Sequence, residues 1–119
     1  MQVFFSYQSG IEAGERLLSL KKRPTAIFAS NDDMAAAVLA TSQRFNLNIP
    51  RQLSVAGFDD SLVAQVVWPR LTTCRQPIEE MAKAAVSVLI QRPSEDGVFE
   101  RLMDHELVVR ESTAPPGPL

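Results

Sequence analysis

The sequence predicts an α/β fold, a parallel sheet with flanking helices. Short apolar runs rich in β-branched and aromatic residues alternate with longer stretches of helix formers, the pattern of a strand-helix-strand chain. Asp59, at the end of one such run, follows Asn31, at the end of the preceding one, by roughly the 30 residues of a βαβ unit. A right-handed crossover makes those two strands parallel and brings their carboxyl ends to one edge of the sheet.

The elements follow in order. Ser9 and Glu12 form an S-x-x-E capping box, which predicts a helix to about Leu20 with Ile11, Gly14 and Leu18 on one face. Lys21-Lys22-Arg23, the only basic cluster, reads as the solvated end of that helix, favoured there by the helix dipole. After Pro24, the run "TAIFA" suits a strand buried on both faces. The stretch "DMAAAVLATSQRF" is rich in helix formers and ends at Asn46 to Pro50. "LSVAGF" is the second strand, "SLVAQVVWP" a helical turn or two followed by an apolar loop, and "LTTCRQ" a third strand. Pro77 opens a last helix whose apolar face is Ile78, Met81, Ala82, Ala85 and Leu89. "RPSEDG" then turns the chain, and "ERLMDHELVVRES" has the look of a hairpin arm or final strands.

Composition narrows the function. A chain of 119 residues, 45% hydrophobic and 22% charged, is most simply one compact domain, here residues 1–113 followed by a flexible Pro-rich tail at 114–119. A net charge of -2 and a pI near 5.3 lack the basic footprint that phosphate-backbone binding needs. Cys74 is alone, so neither an internal disulfide nor a cysteine zinc cluster can form within the chain, which fits a reducing compartment. No run approaches the roughly 20 apolar residues of a membrane span, and no signal-peptide pattern opens the chain. The expected location is cytoplasmic, without contact with a membrane.

Candidate chemistry collects at the strand ends. In an open parallel α/β sheet, ligands bind beyond the carboxyl ends of the strands, where loops diverge and helix N-termini present free N–H groups. Asn31 and Asp32 occupy that edge after one strand, Asp59 and Asp60 after the next. An Asn offers donor and acceptor and an ionised Asp accepts, which suits the hydroxyls or ring N–H groups of a polar ligand. Asp and Asn are equally the preferred caps of the helices that follow, most of all at Asp32 and Asp60. A third reading is a Mg²⁺-dependent hydrolase or phosphatase in which Asp32, Asp33, Asp59 and Asp60 hold the ion. Against it, no nucleophile has a paired base, since His105 and Cys74 stand apart, and the five glycines are too scattered for a phosphate loop. Val63, Val66, Val67 and Trp68 are many large apolar groups for a connection and read either as a loop over the core or as a subunit contact.

The pieces "SGIEAGERLL", "RPTAIFASNDDMAAAVL", "IPRQLSVAGFDD", "PRLTTCRQPIEEMAKAAVSVLI" and "ELVVREST" together resemble the C-terminal part of a LacI/GalR-type transcriptional regulator, in that family's order and spacing. The resemblance covers nearly the whole chain. It implies a partial periplasmic-binding-protein-like lobe that senses a small effector, a sugar or a purine-like molecule, and dimerises, with no catalysis, no metal and no cofactor. It implies effector contacts at Asn31 and Asp59, a stacking aromatic at Phe5, and Gln76 near the cleft where the chain crosses between lobes. It also implies a dimer surface at Ala36, Leu39, Val66, Val67 and Trp68, and leaves Asp32 and Asp60 as structural caps. The family's DNA-binding helix-turn-helix, its hinge helix, most of its first lobe and the arginine that clamps the ligand are not among these residues, so any contact with DNA runs through parts outside them. The counterpart of the helix near 77–91 packs on the first lobe, and its apolar face is expected to need another partner, by dimerisation or domain swapping, or the helix to be partly disordered.

Overall fold

A computed structural model describes residues 4–91 and 100–117. The chain order is α1 (Tyr7–Leu18), β1 (Ala26–Phe28), α2 (Asp32–Arg44), β2 (Ser54–Asp59), α3 (Leu62–Val66), β3 (Thr72–Arg75), α4 (Ile78–Gln91) and β4 (Glu106–Val108). The four strands lie in the order β1-β2-β3-β4; the first three are parallel and β4 is antiparallel to β3. The α/β fold with a mainly parallel sheet and flanking helices is therefore the one the sequence predicts. The expected turn at "RPSEDG" lies outside the described residues. Of the expected hairpin arm, β4 is the strand that forms.

One helical layer makes the core. α2 lies on the sheet face that carries Ile27, Val55, Gly57 and Thr73, and Ala35, Val38 and Leu39 pack there with Leu53, Val55 and Leu71. α1 lies on α2 in the same direction, Gly10 against Met34 and Ala37 and Gly14 against Thr41. A Cβ at Gly10 would come within 2.7 Å of the Ala37 Cβ, so the helices meet this closely because the side chain is missing. Ser112 stitches the two central strands together: its N–H and hydroxyl serve Arg70 and Val55, while its Oγ accepts from the Thr72 N–H at 2.8 Å.

Local expectations change at the cap and end of α1, at β1 and at Ala114, while the apolar face of α4 is bare, as a helix in need of another partner would be. Ser6, not Ser9, caps α1: the Ser6 hydroxyl accepts the Ser9 N–H, and the Ser9 hydroxyl accepts the Phe4 N–H, while Glu12 pairs with Gln8. The helix consequently starts earlier and ends at Leu18, and the basic run follows it in a turn. β1 is not buried on both faces. It is an edge strand, and the sheet face opposite α2 carries Phe28, Ala56, Phe58, Cys74 and Leu107 without a helix packed over it, leaving Phe28 69% exposed. α4 has no buried residue, and its Leu89 is 77% exposed. Ala114, expected in a free tail, exchanges two hydrogen bonds with the Ser54 hydroxyl.

Candidate functional site

The carboxyl edge of the sheet is assembled from three strand ends. β1 runs into Asn31, whose extended backbone places it at the N-cap of α2, where Oδ1 accepts the Met34 N–H at 2.9 Å. The cap is thus Asn31, and Asp32 is not one. Capping uses one oxygen of Asn31 and leaves the amide nitrogen with two N–H donors. Because α1 and α2 run in the same direction, Phe5, just ahead of α1, comes to this edge as well, 75% exposed.

Asp32, in the first turn of α2, is 1% exposed. Its Oδ1 accepts the Thr73 hydroxyl at 2.6 Å and its Oδ2 accepts the Ser61 N–H at 2.7 Å. The carboxylate therefore ties α2 to the loop after β2 and to β3. A Cβ at Gly57 would overlap Asp32 Oδ1, so the strand needs glycine at the point where this carboxylate passes beneath it.

β2 ends in two consecutive non-glycine residues with positive φ, Asp59 at 110° and Asp60 at 53°. Such conformations cost on the order of 1–3 kcal/mol each and persist where surrounding contacts hold them. Here the Asp60 N–H donates to Thr73 Oγ1 at 3.3 Å and the Ser61 N–H to Asp32. The Asp60 side chain, 4% exposed, turns inward between Arg75 Nε at 2.7 Å and Arg110 Nη2 at 2.6 Å. Burial pushes this carboxyl up, but hydrogen bonds and charge from Arg110 and Arg75 outweigh it and hold it below its ordinary value. Asp60 is an ion-pair partner, and the cap position of α3 belongs to Ser61, which makes no side-chain capping bond.

The turn sends Asp59 the other way, where its Oδ1 accepts the Gln76 Nε2–H at 2.9 Å. Among the expected effector residues, Asp59 and Gln76 are thus joined directly, and Asn31 and Phe5 share their edge. A cavity of about 840 Å³ lies between α4 and the open sheet face, lined by Phe58, Cys74, Gln76, Met81 and Val88 among others. It is mostly apolar and neither Asn31 nor Asp59 lines it, so it meets the polar edge only at Gln76.

Two expected surface residues sit elsewhere. Leu39, 4% exposed, belongs to the hydrophobic core, where α2 packs on β2 and α3, and Ala36 is also buried. Val67 is partly buried against the core, whereas Val66 and Trp68 are exposed, with Leu62 beside them. Sequence reasoning missed Thr73, Arg75 and Arg110, which hold the aspartates. Their partners lie up to 50 positions away, and the one local signal was an arginine at the end of each apolar strand run, in "TTCR" and "LVVR". The metal reading finds no footing: Asp32 and Asp60 are taken up by internal donors, and no group of three or more His, Cys, Asp or Glu residues converges among the described residues.

Comparison with known proteins agrees with this geometry. The family described as a periplasmic binding protein-like domain matches residues 4–113. The repressor PurR of Photobacterium profundum is 38% identical over 112 residues, 91% of this chain and 33% of that protein. The repressor CytR of Escherichia coli K12 is 38% identical over 111 residues, 92% of this chain and 33% of that protein. The chain thus spans about a third of the length of the curated relatives it matches. Among solved structures, a LacI transcriptional regulator from a Rhodococcus species superposes with a TM-score of 0.87 at 32% identity, covering 98% of this chain and 43% of that one. A CelR regulator in complex with cellobiose gives 0.80 at 32% identity over 92% of this chain and 34% of that one. A dimeric Lac repressor gives 0.85 at 28% identity over 97% and 43%. No helix among the described residues is long and apolar enough to cross a membrane. The chain belongs to the periplasmic binding protein-like domain family, in the form carried by LacI-type transcriptional regulators.

Proposed function

We propose that the chain is the effector-sensing and dimerisation segment of a LacI-type transcriptional regulator, a binding module without catalysis that acts in the cytoplasm. The observation that carries this is the Asp59–Gln76 pair, held on the carboxyl edge by a left-handed turn and flanked by the capped Asn31. Asp59 supplies an acceptor, the Asn31 and Gln76 amides supply donors, and Phe5 an aromatic face. Such a set suits a sugar, or a purine-like molecule that presents ring N–H groups. The cellobiose complex of a similar regulator supports the sugar.

A ligand bridging Asp59 and Gln76 touches both the end of β2 and the start of the segment leading into α4. It favours one direction of that segment, and in the complete regulator this biases the DNA-binding part, which lies outside these residues. Dimerisation engages the exposed Val66 and Trp68 with Leu62, without Ala36 and Leu39. The test is titration of the isotope-labelled chain with cellobiose, sucrose and hypoxanthine, followed by amide shifts. Binding by any one of them that weakens about tenfold or more in Asp59→Ala, as for a lost hydrogen bond to a charged group, supports the reading. Binding indifferent to Asp59→Ala and Gln76→Ala would remove it.

A further inference from the structure

We infer that Asp32 is the positioning residue of this edge: its buried carboxylate holds the Asp59–Ser61 turn in its left-handed form and so fixes the direction in which Asp59 meets Gln76. The inference rests on the proposed reading of Asp59 as an effector contact.

The residue's own surroundings show what it does. A carboxylate with 1% exposure is costly to bury unless every oxygen is satisfied. Asp32 lies in the first turn of α2, where the helix dipole favours an anion, but α2 is already capped by Asn31. Both of its oxygens have partners outside α2, one on β3 and one on the loop after β2. The Ser61 N–H it accepts is two residues beyond Asp59, and the Thr73 hydroxyl that donates to it also accepts the Asp60 N–H.

Two successive backbone N–H groups thus converge on one hub made of Asp32 and Thr73. In an extended strand, successive N–H groups point to opposite sides. They converge here because Asp59 and Asp60 take φ values of 110° and 53°, and that same departure swings the Asp59 side chain to Gln76 while Asp60 goes to the arginines. The hub therefore sets the direction of Asp59 without touching its side chain. Gly57 completes the device by leaving room for the carboxylate under β2.

The competing reading is that Asp32 merely fastens α2 to the sheet. The two separate in the ligand-free, ¹⁵N-labelled chain, where the Gln76 side-chain amide reports the Asp59 bond and Asp59→Ala marks its position when the acceptor is gone. Positioning predicts that Asp32→Asn moves the Gln76 side-chain resonances toward the Asp59→Ala position. It also predicts that exchange of the Ser61 amide rises at least about tenfold, as for one lost charge-assisted hydrogen bond, while the Val38 amide in α2 stays protected. A lower melting temperature with an unmoved Gln76 amide overturns it. Should Asp32→Asn fail to fold, Thr73→Val removes the hub's hydroxyl and Thr73→Ser restores it. The inference then requires the Gln76 shift in the first and its return in the second, and fails if both leave Gln76 in place. These spectra contain no ligand, so an Asp59→Ala variant that still binds its ligand unchanged sinks the effector reading alone.

Discussion

Asp60 shows how a single side chain links charge to stability. Its carboxyl titrates below its ordinary value near 3.8 because, although burial raises it, Arg110 and Arg75 favour the ionised form more. A group with a depressed folded pKa stabilises the fold fully above its unfolded value and loses that contribution as the pH falls through the folded one. Stability from this group is therefore constant at neutral pH and drains away only below about pH 4. Asp60→Asn is expected to cost about 1–3 kcal/mol at pH 7, since Arg110 loses its anion and Arg75 is left with Glu106, and to flatten the acid limb of a urea-midpoint-against-pH curve. An unchanged acid limb would show that the pairs do not contribute. Gly57→Ala tests the neighbouring contact: its Cβ overlaps Asp32 Oδ1 and comes 3.2 Å from the Ala35 Cβ, so destabilisation of about 1–3 kcal/mol is expected from the urea midpoint. At this scale the sequence was legible for residue type and misleading for role. "SNDD" and "GFDD" placed polar groups at the strand ends, but which aspartate turns inward depends on Thr73, Arg75 and Arg110, and no local pattern connects residues so far apart.

The elements divide into those a neighbour covers and those none covers. α2 was readable because its apolar side and its capping sequence agree, β2 because a nearly continuous run of small and apolar residues fits the sheet interior, and β3 because its paired β-branched threonines suit a strand. β1 was misread for the converse reason: "TAIFA" is equally apolar, but apolarity reports what a strand prefers and not which helices lie over it, and its outward face is bare. α4 carries the same lesson further. Its 14 residues hold apolar positions typical of a packed helix, yet none is buried within the described chain. An isolated helix of this length is marginal in water, because nucleation is costly and packing usually supplies the stability. Hydrogen exchange of the 119-residue chain is therefore expected to be fast throughout residues 78–91 and slow in α2 and β2. Protection of α4 equal to that of α2 would mean that a second surface covers it in solution.

Besides the bare face of α4, two apolar surfaces among the described residues lie on different layers. One is the open sheet face with Phe28 and Leu107; the other is the ridge of Leu62, Val66 and Trp68 on α3 and the segment after it, which packs beside α2 in the helical layer. Large exposed apolar patches mark interfaces, but the two surfaces imply different assemblies. A ridge of side chains projecting from a rigid, core-packed helix suits a specific self-complementary contact, in which a central Trp carries much of the energy. A bare sheet face with an edge strand beside it suits looser association. Sedimentation equilibrium of the chain and two variants separates them. Trp68→Ala is expected to raise the dimer dissociation constant about 30-fold or more, the loss of a hot-spot residue, whereas Phe28→Asp should change it little. The reverse pattern, a dimer lost in Phe28→Asp and intact in Trp68→Ala, would move the contact to the sheet face. The ridge would then lack a partner, and the proposed dimer geometry would have to be given up.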